Sequence, residues 1–149
     1  MYRRILVAID GSRPAARALS EAIRLASEQQ ASLRIVHVID EGLTLPPDVL
    51  SANLAEFDQK LYEGGKSLLR ASESQAREAG VRQVEGILVE ELGQRPGRFI
   101  VEQATDWSAE LIVCGTHGRR GLMRLALGSD AEYVVRHSSV PVLLLRGGD

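Results

Sequence analysis

Glu110-Leu111-Ile112-Val113-Cys114-Gly115-Thr116-His117-Gly118, followed after nine intervening residues by Gly128-Ser129, carries the reading of this chain. The run from Leu111 to Cys114 is short and apolar, the pattern of a parallel strand buried on both faces. A glycine directly after such a strand lets the main chain bend where a side chain would collide with a ligand. From Ser129 a helical pattern begins, and free N–H groups in its first turn would point to the same place. Two backbone turns facing one anion suggest a seat for phosphate.

Outward from this stretch, similar apolar runs occur at Ile5 to Ile9, Leu33 to Val38, Val84 to Val89 and Val140 to Leu145, with helical patterns between them. The first helix is predicted to start near Ser12 with Pro14 in its opening turn, and Ala15, Ala18, Leu19, Ala22, Ile23, Leu25 and Ala26 give it an apolar stripe. The turn-rich segment Glu41 to Asp48 fits no periodic element and reads as an excursion over the surface. A second helix is expected from about Ser51 to Gly80, weakened or kinked at Gly64-Gly65 and stopped by Gly80. A third is expected from about Gly97 to Trp107. Strands alternating with helices imply a parallel sheet with right-handed crossovers and helices on both faces, the doubly wound α/β arrangement. Ligands of such sheets sit at the carboxyl ends of the strands, beside the reversal of strand order. Asp10, Val38 and Gly115 each fall at such an end.

The 149 residues fit one domain, and no apolar run is long enough to cross a bilayer. The apolar stretch after Arg3 and Arg4 is too short for a signal peptide and reads as the first strand. One cysteine, Cys114, excludes an internal disulfide and any multi-cysteine metal cluster, which suits a reducing cytoplasm and a buried structural thiol. A net charge of −2 and 4% aromatic residues give no footprint of nucleic-acid binding. Positive charge is nearly all arginine: only Lys60 and Lys66 are lysines, and neither is near the glycine segment in sequence.

Written as a pattern, Gly115-x2-Gly118-x9-Gly128-Ser129 resembles the nucleotide-binding signature of the universal stress protein family. The resemblance extends to Ile5-Leu6-Val7-Ala8-Ile9-Asp10-Gly11-Ser12, to Val36-His37-Val38-Ile39-Asp40 and to the ending from Glu132 to Leu145. It implies a single Rossmann-like domain over residues 1–149, with a five-stranded sheet in the order 3-2-1-4-5. It also implies a cytoplasmic stress-response module that binds ATP with Mg²⁺, forms a homodimer through Val140 to Leu145, and acts on an unidentified regulatory protein partner. In ATP-holding relatives the positions matching Ala8, Ile9, Asp10 and Val38 surround the adenine and ribose, with the aspartate also near the metal. Those matching Gly115, Gly118, Gly128 and Ser129 approach the phosphates. Cys114, Arg119 and Asp130 complete the expected site, and Arg119, Arg120 and Arg124 add positive charge between the two turns. Asp130 departs from the family, which commonly has an apolar residue or threonine there. Its carboxylate can repel phosphate, favour the first turn of its own helix, point to solvent or help hold Mg²⁺.

Plainer readings accompany these residues. Ser129-Asp130-Ala131-Glu132 fits a capping box, Asp10-Gly11-Ser12 fits a strand-to-helix turn with an N-cap, and the glycines fit tight turns. His37 reads as a packed or hydrogen-bonded histidine and His117 as a loop residue. Without a Gly-x4-Gly-Lys-Ser/Thr element, the chain reads as a binding module with no named catalytic residue. Two alternatives remain at this stage: a Mg²⁺-dependent adenine-nucleotide hydrolase or phosphotransferase using Asp10, with His117 or an arginine near the phosphates, and a dimeric adaptor whose Asp130 disables the seat. The last strand is apolar on both faces, yet Pro141 suits an edge, and such an edge invites a second copy.

Overall fold

The computed structural model describes residues 1–39, 54–90, 93–117 and 127–147. Strands and helices alternate along it: β1 (Arg4–Ile9), α1 (Arg13–Gln29), β2 (Ser32–Val38), α2 (Leu54–Glu78), β3 (Val84–Val89), α3 (Pro96–Asp106), β4 (Leu111–Gly115), α4 (Ser129–His137) and β5 (Val142–Leu145). The strands form one parallel sheet in the order β3-β2-β1-β4-β5. Strand order therefore reverses at β1, whose carboxyl end opens beside that of β4.

Side chains of a strand alternate between faces, and β1 shows the consequence. Ile5, Val7 and Ile9 join α1, α2 and the first residues of β2 in one buried cluster, with Leu33, Ile35 and Leu69. Leu6 packs on the other face with Val36, Phe99, Ile100, Ile112 and Val134, and Ala8 lies against that group. Each fully buried Val, Leu or Ile contributes roughly 1.5–3 kcal/mol relative to exposure, so two sandwiched apolar layers dominate the stability. The stripe on α1 is buried at Ala15, Ala18, Leu19, Ala22, Ile23 and Ala26.

The ends of the elements follow local chemistry. Ser12 caps α1, its Oγ accepting from the Ala15 N–H at 3.3 Å, with proline early in the helix. Gly80 has φ +90° just beyond α2 and its N–H donates to the Arg77 carbonyl, the left-handed stop expected of it. Pro141 lies just outside β5, which among the described residues pairs with β4 alone, so the proline does sit at a sheet edge.

Two sequence features take forms that local rules do not give. Gly64-Gly65 lies inside α2, which continues through the pair for 25 residues. A Cβ on Gly65 would lie 2.8 Å from Leu88 Cδ1 and 2.9 Å from His37 Cδ2, so this glycine lets the helix lie directly on β2 and β3. The capping box at Ser129 does not form. Gly128, without a side chain, is the N-cap of α4, and Glu132 pairs with Arg136 at 2.9 Å. The surface segment 41–48, the expected helix start at Ser51, Gly118, Arg119, Arg120 and Arg124 lie outside the described residues.

Helices α3 and α4 meet at their amino ends. Asp130 Oδ1 accepts from the Gly97 N–H at 2.9 Å, which caps α3 from another helix, since Arg95 at the N-cap offers no side-chain bond. A Cβ on Gly97 would lie 2.8 Å from the Asp130 carbonyl oxygen and 3.1 Å from Tyr133 Cβ. Gly97→Ala should therefore destabilise the protein by about 1–3 kcal/mol in urea unfolding despite its better helix propensity. Unchanged stability would show that the two helices have room to part. Asp130→Ala should cost about 1 kcal/mol, and Asp130→Asn, which keeps an accepting oxygen, should recover most of it in the same assay.

Candidate functional site

The carboxyl ends of β1 and β4 lead into two turns that the backbone ties together. At β1, the Ser12 N–H donates to Asp10 Oδ1 at 2.9 Å and Gly11 adopts φ +81°, so Asp10-Gly11-Ser12 forms the strand-to-helix turn as well as one edge of a cavity. At β4, the Thr116 N–H donates to the Leu145 carbonyl at 2.9 Å, and the Thr116 carbonyl accepts from the Gly128 N–H at 2.8 Å. That second bond brings the start of α4 against the end of β4. The first-turn amides of Ser129, Asp130 and Ala131 precede the first intrahelical bond, from the Glu132 N–H to the Gly128 carbonyl, and the N-cap, Gly128, has no side chain to cap them. They form the positive end of the helix dipole.

Between these turns lies a cavity of about 480 Å³, within the size range of small-molecule sites. Ala8, Ile9, Asp10, Val38, Cys114, Gly115, Gly128, Ser129 and Asp130 all line it. Residues far apart in sequence thus share one crevice at the switch point of the sheet. Gly118 and Arg119 are outside the described residues, and the structure adds nothing to their assignment.

Individual side chains have well-defined surroundings. Cys114 is buried, and burial pushes its thiol up to about 12, so it stays protonated near pH 7 and contributes a neutral wall. Gly115 has a packing role: a Cβ there would lie 2.7 Å from Pro14 Cβ and 3.0 Å from the Ala15 nitrogen, so the bare backbone admits the first turn of α1. The Asp130 carboxylate is engaged with Gly97, an arrangement absent from the sequence expectations. His117 lines the cavity, with Nδ1 3.0 Å from Thr116 Oγ1. Its buried Nε2 has no hydrogen-bond partner among the described residues, a state that ordinarily costs about 1–3 kcal/mol.

Sequence spacing missed one wall. Helix α2 brings Lys60, Leu61, Gly64, Gly65 and Leu68 to the cavity, so a lysine distant from the glycine segment along the chain reaches the site through the fold. Lys60 makes a solvent-exposed ion pair with Glu56, 3.5 Å away. His37 also lines the cavity while its Nδ1–H donates to the Ile9 carbonyl at 2.8 Å, which leaves Nε2 as an acceptor in the neutral ring. The one available signal was the glycine pair in α2, with Lys60 and Leu68 four residues to either side of Gly64. Among the described residues no group of three or more His, Cys, Asp or Glu side chains could hold a metal ion, and no helix is long and apolar enough to cross a membrane.

Comparison with known proteins agrees with this architecture. Residues 1–146 match the universal stress protein family. Universal stress protein YxiE of Bacillus subtilis is 35% identical over 155 aligned residues, covering 98% of this chain and all of that protein. The structure of UspA from Lactobacillus plantarum superposes with a TM-score of 0.83 at 27% identity, covering 97% of this chain and 98% of that one. A universal stress protein in complex with cAMP gives a TM-score of 0.69 at 26% identity, over 99% of this chain and 98% of that one. The Archaeoglobus fulgidus universal stress protein in complex with dAMP gives 0.66 at 26% identity, over 97% and 98%. This chain belongs to the universal stress protein family.

Proposed function

We propose that this chain is a nucleotide-binding regulatory module of the cytoplasm, which holds ATP with Mg²⁺ in the cavity at the carboxyl end of the sheet. The reading is carried by one observation: an apolar wall and a helix N-terminus whose N-cap is a glycine meet around one cavity of about 480 Å³. Ile9 and Val38 suit a flat purine, and Ala8 leaves it room. Asp10 can accept from a ribose hydroxyl or hold a metal through water. The first-turn amides and the Ser129 hydroxyl suit phosphate oxygens. Where Mg²⁺ accompanies the nucleotide, Asp10 would hold it together with phosphate oxygens, and the ion would offset the phosphate charge. The cAMP and dAMP complexes of relatives support an adenine nucleotide as the ligand class.

The module acts by binding. Phosphoryl transfer needs a group that orients the attacking nucleophile, and no residue is assigned that task. Nucleotide occupancy biases the conformation of a homodimer or of the loops around the cavity, and so affects a protein partner. The dimer forms through β5, an edge strand with four half-buried apolar residues and one neighbour in the sheet, whose free edge a second copy would cover.

Native protein should release ATP or ADP when denatured, as identified by mass spectrometry. Stripped protein should gain about 5–10 °C in Tm with ATP and Mg²⁺ at a hundred times the Kd, because a ligand of the native state stabilises it by mass action. No shift with ATP, AMP, dAMP or cAMP, each tried with and without Mg²⁺ at millimolar concentration, would overturn the reading.

A further inference from the structure

Gly64 and Gly65 are adjacent in the middle of a 25-residue helix, where each glycine weakens the helix relative to alanine. Packing accounts for only one of them. Gly65 is buried, and a Cβ there would collide with Leu88 and His37. Gly64 is exposed, and among the described residues nothing lies within 4 Å of where its Cβ would stand. Its backbone is ordinary helix, so no positive φ requires glycine either. Gly64 nevertheless lines the cavity, one helical turn from Leu61 and from Leu68 on the same face of α2. Ile9 and Ile39 line the same cavity from the ends of β1 and the segment after β2.

We infer that Gly64 is a ligand-contact position: its bare backbone leaves room for the purine base of the bound nucleotide, and α2 forms the wall opposite the sheet. This rests on the nucleotide reading above. Leu61, Leu68, Ile9 and Ile39 are apolar groups of the cavity lining that suit a flat ring, and Lys60, one turn before Gly64, is the charged residue that α2 adds to it. The phosphates go to the other end of the cavity, at the first turn of α4. A methyl group at residue 64 meets no described atom in the free protein but occupies space that the base needs, so stability and affinity should move in opposite directions.

The test uses Gly64→Ala and Gly64→Leu in the full chain, with thermal unfolding of stripped protein and titration of adenosine, AMP and ATP. Gly64→Ala should raise the Tm of the free protein by about 2–4 °C through helix propensity. It should weaken all three ligands by a similar factor, about tenfold, and Gly64→Leu should weaken them further. A uniform factor locates the contact at the base, which the three ligands share. Unchanged affinities in both variants, while the parent protein binds, would overturn the inference and leave the nucleotide reading standing. A loss confined to ATP would also overturn it, because the contact would then lie at the phosphates. A fall in the Tm of free Gly64→Ala would show that the space is not empty. If the parent binds none of the three, the nucleotide reading and this inference fail together.

Discussion

Thr116 holds the working end of the molecule together. Its N–H is bonded to Leu145 in the last strand and its carbonyl to Gly128 at the start of α4, while the residue before it, Gly115, makes room for the first turn of α1. Three elements distant in sequence are thereby fixed within one turn of the end of β4. Each bond is worth only about 1 kcal/mol net. Their importance is geometric, since they decide where the first-turn amides of α4 lie relative to the apolar ends of β1 and β2. Thr116 is itself almost fully buried, which shields both bonds from competing water.

The strands were legible because the sheet is covered on both faces and its strands therefore read as continuous apolar runs, from Ile5 to Ile9 and from Leu111 to Cys114. The order in which they lie side by side was not in the periodicity and came from family resemblance. Of the candidate residues, Asp10, Val38 and Gly115 could be placed because each ends a strand, and strand ends of a parallel sheet converge. Contacts between helices were invisible. Nothing local to Asp130 announces that its carboxylate caps α3, because the partner, Gly97, lies 33 residues away. The capping-box expectation failed for the same reason: the motif is defined along one helix, whereas here Asp130 serves its neighbour and Glu132 prefers Arg136.

Helix α2 shows how local rules mislead in a packed setting. By propensity a glycine pair marks a weak point, yet the helix continues because Gly65 brings its backbone onto Leu88 and His37. The burial of neighbours such as Leu69 stabilises that close approach. The same packing explains how Lys60, far from the glycine segment along the chain, comes to border the cavity.

The shared carboxylate has an electrostatic consequence. Two helix amino ends lie side by side, each carrying roughly half a positive charge, and Asp130 places about one negative charge between them. Among these three groups the charges nearly cancel. What the paired helix ends themselves offer an anion is therefore the direction of individual N–H donors rather than a long-range attractive field.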